Sequence, residues 1–111
     1  MFVKKDFRGV DLSGADLRGA VFNKSQMQGV DLRGADLEDV VAFSSDFEGA
    51  DLSGANLTNG LLMESVFTNA RIQGADFTEA VLDRVQRREL CLIAEGSNER
   101  TGISTSESLR C

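Results

Sequence analysis

A bulky apolar residue recurs at every fifth position of this chain, from Phe2 through Phe7, Leu12, Leu17, Phe22 and Met27 to Leu82, with Ala42 the single small member of the series. Two positions before each stands a small or β-branched residue, such as Val10, Ala15, Ala35, Ser45 or Ala55, and Asp or Asn most often lies between the two, as in Ala15-Asp16-Leu17 and Ala55-Asn56-Leu57. A period of five fits neither the 3.6 of a helix nor the two of a long strand. Each pentapeptide must therefore run extended for a few residues and then turn a corner. Gly, Asn or Asp most often occupies the position two after the bulky residue, as in Gly9, Gly14, Gly34, Asp39, Asn59 and Gly74, which predicts a backbone with positive φ there. Four such corners close one coil of twenty residues. Residues 10–29 and 30–49 agree at ten of twenty positions when aligned, which supports a twenty-residue coil independently.

Stacked at this period, the bulky residues fall into four inner columns: Phe2/Phe22/Ala42/Leu62/Leu82, Phe7/Met27/Phe47/Phe67, Leu12/Leu32/Leu52/Ile72 and Leu17/Leu37/Leu57/Phe77. At about 4.8 Å per coil, four coils make a rod roughly 20 Å long. Each buried Leu or Phe contributes on the order of 1.5–3 kcal/mol, and a coil closes its own top and bottom only by stacking on a neighbour. The predicted fold is an all-β solenoid over 1–82. After Leu82 the pattern stops, and 83–96 reads as a short helix with Asp83 near its start and Gly96 past its end, a cap for the open core. Val85, Leu82, Leu92 and Leu90 are the candidates to face that opening. The polar tail, 97–111, would be disordered if left free. The two cysteines, Cys91 and Cys111, either fasten this tail to the cap or remain free thiols.

Composition narrows the chemistry. The chain has 111 residues, 12 Lys+Arg against 18 Asp+Glu for a net charge of -6, and no His, Pro, Trp or Tyr. Without imidazole there is no Ser-His-Asp triad, no Cys-His dyad and no ordinary zinc site. A basic nucleic-acid footprint is absent. The longest apolar runs are a few residues, such as Leu61-Leu62-Met63, so no membrane span is expected, and a targeting segment, if the protein is exported, is missing from this sequence. Paired carboxylates need a cleft to perform acid/base chemistry, which a convex rod filled with Leu and Phe does not offer. The expectation is a non-enzymatic protein that uses no cofactor and no catalytic or resident metal.

The in-register A-(D/N)-L-x-x units across positions 7–82, with a local departure at Ala42 and Phe43, resemble the pentapeptide-repeat family. The resemblance implies a right-handed quadrilateral β-helix of about four coils, with a C-terminal α-helical cap over 83–111. The segment Leu90-Cys91-x-x-Ala94-x-Gly96-x-Asn98, continuing through Thr101-Gly102 and Thr105 to Ser108-Leu109-x-Cys111, is similar to the C-terminal extension of cyanobacterial and chloroplast thylakoid-lumen members. That similarity implies a Cys91–Cys111 disulfide and an oxidising thylakoid lumen as the compartment.

The position before each bulky residue faces outward and is usually polar, but on one face it reads Val21, Val41, Leu61, Val81, with Phe43 and Met63 alongside. This ladder is either a β-branched stack and seat for the tail, or a contact surface of up to several hundred Å² for an unidentified protein partner or a second copy. On adjoining faces Asp11, Asp31 and Asp51 should stack, as should Asp16, Asp36 and Asp76 with Asn56 between, flanked by Arg18, Arg33 and Arg71. A flat carboxylate column lacks the six-to-eight-oxygen cage that calcium prefers. Two functions compete: a structural or interaction module of the thylakoid lumen, and, from another branch of the family, an acidic DNA mimic that binds type II topoisomerase. The register also begins without an evident N-terminal cap, as expected of one module in a longer chain.

Overall fold

The corners form where the sequence pattern places them. In the computed structural model, which describes residues 5–111, the residue two after each bulky centre has positive φ, from Gly9 (67°) to Gly74 (74°). Asp39, Asn59 and Asn69 adopt it as expected, and so do Lys24, Ser44, Glu64 and Glu79, which carry no turn signal of their own. Most corners close with an N–H donated to the carbonyl three residues back, as Val30 to Met27 at 3.1 Å and Ala55 to Leu52 at 3.0 Å. Phe2, assigned to the first inner column, lies outside the described residues.

Coils then pair at a register of twenty. The residue before each centre makes a parallel bridge to its counterpart one coil on, as in Asp11 to Asp31, Val41 to Leu61 and Asn56 to Asp76. Pairing is confined to such isolated bridges, and among the described residues no continuous strand develops, because a corner interrupts each extended piece after about three residues. Inside, Phe22, Leu32, Leu52, Leu62, Ile72 and Phe77 are buried, and the small residues Ala35, Ala50, Ala55 and Ala75 fill the space beside them. Phe47 and Phe67 stack with ring centroids 5.2 Å apart, while Phe7 meets Phe22 edge to face across two columns.

One interior column is polar. Ser25, Ser45 and Ser65 are buried and stack through successive coils. The Ser45 hydroxyl accepts from the Ser25 N–H and donates to the Phe22 carbonyl; Ser65 does the same for the Ser45 N–H and the Ala42 carbonyl. Each hydroxyl thus enters the turn of the coil before it and satisfies groups that a buried corner would otherwise leave unpaired.

The end of the rod is closed by helix α1 (Arg84–Ile93) and by the tail that follows. Asp83 caps α1 in a reciprocal box with Gln86, and the Gln86 amide donates to the carbonyls of Leu62 (2.8 Å) and Ser65 (2.7 Å), which have no further coil to pair with. Leu90, 2% exposed, plugs the core, whereas Val85 (57% exposed) and Leu92 (82%) face solvent and do not line the opening. The helix docks by the side that carries the Gln86 amide, since leaving the Ser65 carbonyl unpaired in the core would cost more than an exposed leucine.

The tail is ordered by polar contacts. Asn98, buried, donates to the carbonyls of Gly54, Ala55 and Gly74 and accepts from the N–H groups of Arg100 and Thr101. Arg100 reaches back to the Gly34 carbonyl at 3.0 Å. Beyond a short helix α2 (Thr105–Ser108), Ser108 accepts from the Phe77 N–H and Leu109 is buried against the core. A disulfide joins Cys91 to Cys111 with Cα atoms 5.6 Å apart. Closing a loop of this length contributes about 3 kcal/mol in the chain-entropy account.

The tail crosses the corner built from Gly34, Gly54 and Gly74, where a side chain would intrude. A Cβ on Gly74 would stand 3.1 Å from the Ser97 carbonyl oxygen, whereas one on Gly14 would meet nothing within 4 Å. Both have φ near 70°, so Gly14→Ala isolates the conformational cost, about 1 kcal/mol. Gly74→Ala is expected to lose distinctly more in urea unfolding, and equal losses at the two sites would show that the tail does not bear on this corner.

Candidate protein-contact face

Because outward positions alternate with inward ones along each short extended piece, an apolar residue just before the centre has nowhere to go but the surface. Val21, Val41, Leu61 and Val81 occupy that position on one face and are bridged in register through four coils. Val21, Val41 and Leu61 are half-buried by their neighbours above and below, and Val81 at the end of the rod is 41% exposed. Phe43 (37%) and Met63 (39%) stand at the adjoining corner, one coil apart. The structure therefore brings all six residues onto one face and its edge. The tail keeps away from the Phe43–Met63 edge: its hydrogen bonds follow the Gly34–Gly54–Gly74 corner, diagonally across the rod, and its end adjoins only Val81 of the six, where Arg110 pairs with Glu79 at the preceding corner.

The polar frame of this edge escapes the repeat pattern. The Asn23 side chain accepts from the Phe43 N–H at 3.0 Å, and Ser44 donates to Glu64 at 3.1 Å. Lys24, Ser44 and Glu64 succeed one another in the left-handed corner position. A search for turn formers passes over them because none is Gly, Asn or Asp; the signal was their spacing of twenty.

The acidic columns form as expected, with Arg71 extending the first beyond Asp51. Part of their charge is answered within the pentapeptide, where an arginine stands two residues on and folds back as a fork. Arg8 grips Asp6, Arg18 grips Asp16 and Arg33 grips Asp31 at 2.7–2.9 Å. Arg18 also lies 3.9 Å from Asp36, so it bridges coils, but it forms no ion pair with Glu38. The arginine side chain and then its backbone N–H hold Asp6 and Asp16 down to about 2, and the same groups of Arg33 lower Asp31. Asp11 is lowered by the side chain and then the N–H of Ser13. Among the described residues no cluster of ligating side chains suits a metal ion, and no helix is long and apolar enough to cross a membrane.

Asp16 sits below the ordinary carboxylate value of about 3.9, so its contribution to stability is present above about pH 4 and lost as pH falls toward about 2. Asp16→Asn should lose less stability than the parent between pH 5 and pH 2; identical acid profiles would remove the fork from the account. Millimolar calcium is expected to leave the melting temperature unchanged, because arginines and backbone N–H groups already occupy many of these carboxylates. A saturable rise would mean that they can be recruited as ligands.

The sequence matches the family described as pentapeptide repeats, in eight copies over residues 6–39 and 45–84. The interruption falls on the coil piece containing Ala42 and Phe43. Among solved structures, a pentapeptide repeat protein from the Arabidopsis thaliana thylakoid lumen is 31% identical with a TM-score of 0.69, the match covering 97% of this chain and 89% of that one. A pentapeptide repeat protein from the cyanobacterium Cyanothece 51142 is 24% identical (TM-score 0.45), over 70% of this chain and 57% of that one. HetL, a pentapeptide repeat protein involved in heterocyst differentiation regulation from the cyanobacterium Nostoc sp. strain PCC 7120, is 26% identical (TM-score 0.49), over 71% and 40%. Comparison with curated proteins finds no match.

Proposed function

The chain belongs to the pentapeptide-repeat family, and we propose that it is a non-enzymatic interaction module of the thylakoid lumen, a rigid right-handed quadrilateral β-helix that presents one apolar edge to another protein. On this reading residues 1–82 are the rod and 83–111 the cap, and the cap's task is to end the core and hold the tail clear of the contact face. The observation that carries the reading is the strip Val41, Phe43, Leu61 and Met63, apolar and uncovered on a rod whose other outward positions are mostly polar. Likeness to a lumenal protein over nearly its whole length supports the compartment, as does a disulfide fastening the end of the chain.

The absence of histidine and the filled interior support a role without catalysis. The acidic columns are weaker support for a DNA mimic, because Arg18 and Arg33 lie folded along them, Arg71 continues one and Asn56 interrupts the other, which breaks the continuous negative surface such a mimic needs.

The test is a Val41→Lys, Phe43→Glu double variant, which leaves every inward column intact. Cross-linking in lumen extract should recover the partner of the parent chain at least about tenfold less well with the variant, as for loss of a central contact residue. Equal recovery by two proteins of equal melting temperature would sink the reading.

A further inference from the structure

The corner that borders the apolar strip carries an ordered set of charges. Lys24, Ser44 and Glu64 occupy the same left-handed corner position on three successive coils, with Asn23, Phe43 and Met63 immediately before them. The coils are locked in register there, since Lys24 N–H donates to the Phe43 carbonyl and Ser44 N–H to the Met63 carbonyl. Read along the rod, the column is positive, neutral, negative. At about 4.8 Å per coil, the two charges lie about 10 Å apart with Ser44 midway. Among the described residues Lys24 makes no ion pair, and Glu64 accepts a hydrogen bond from Ser44 alone.

Such a column is complementary to itself when inverted. A two-fold axis in the contact plane, at right angles to the rod and level with Phe43 and Ser44, sets a second copy antiparallel to the first. Lys24 of each copy then faces Glu64 of the other, Val21 faces Leu61, and Phe43 meets its own counterpart on the axis. We propose that this edge is a two-fold contact between two copies of the chain, centred on Phe43 and Ser44 and keyed by two symmetric Lys24–Glu64 pairs. The inference rests on the reading of the strip as a contact face and names its partner. An isologous contact requires one patch that satisfies itself under a two-fold rotation, and this corner does so in charge and in the apolar Val21–Leu61 and Phe43–Phe43 pairings.

The flanks limit its breadth. Asp39 stands at the corner on the far side of Val41, and Asp46 is the outward residue of the next face, at the same level as the axis. Either would meet its own copy in a wider contact, so the interface centres on the Phe43–Met63 edge. Three coils tall and one corner wide, it falls short of the roughly 800 Å² per partner of stable complexes, and half-association is expected at roughly 0.1–1 mM.

Charge reversal tests the geometry. In sedimentation equilibrium at low salt, the parent chain should pass from monomer toward dimer over that range, and added salt should shift it back. K24E places Glu against Glu twice and E64K places Lys against Lys twice, so each alone should remain monomeric. Mixed in equal amounts, they should pair with each other at least as well as the parent pairs with itself. F43E should remain monomeric alone and should not pair with either. All substituted positions lie on the surface, and unchanged melting temperatures will confirm intact folding. A parent chain monomeric to about 2 mM, self-association retained by K24E or E64K, or a mixture that fails to pair would each overturn the proposal. If the parent is monomeric while the Val41→Lys, Phe43→Glu variant still loses its lumenal partner, the two-fold contact falls and the interaction module stands.

Discussion

The left-handed corner is the constraint on which the rest of the structure depends. A chain that must place a bulky side chain inward every fifth residue has room for only a short extended piece before it turns, and the turn requires positive φ at one fixed position. Once each corner is fixed, inward and outward positions follow, and the twenty-residue register that aligns every column follows with them. Glycine meets the requirement at least cost, yet Lys24, Ser44 and Glu64 accept it on one edge.

The interior obeys a second rule, that every coil leaves carbonyls and N–H groups for the next coil to satisfy. Within the rod the next coil supplies them. At the end, the amides of Gln86 and Asn98 act in its place, each spanning more than one backbone carbonyl, and the serine column applies the same remedy inside the turns. The cap is therefore a polar device as much as an apolar plug, with Leu90 and Leu109 filling the space that the two amides border.

This division explains what was legible in the sequence. The five-residue period exposes the columns, the corners and the outward apolar ladder directly, because each depends on side-chain size at a fixed spacing. The docking side of α1 does not emerge that way. Val85 and Leu92 on one side look as suited to the core as Leu90 on the other, and the choice is made by two carbonyls, of Leu62 and Ser65, that the sequence does not display. Asn98 was readable only by likeness to other capped rods, since nothing local marks it as the residue that crosses to Gly54 and Gly74. The charge order at Lys24, Ser44 and Glu64 was visible in the letters but acquires meaning only when three coils are stacked.

The seat of the tail sets a rule for the length of the rod. Asn98 and Arg100 find their carbonyls on one corner out of four, at Gly34, Gly54 and Gly74. Removing one pentapeptide before the cap would set the tail against the preceding corner, Gly29, Gly49 and Asn69, where Asn69 stands in place of the glycine that the tail crowds. Only gains or losses of whole coils return the same surface to the closing segment. A lineage of such rods could then lengthen or shorten only in quanta of twenty residues, with the cap acting as the gauge that rejects fractional steps.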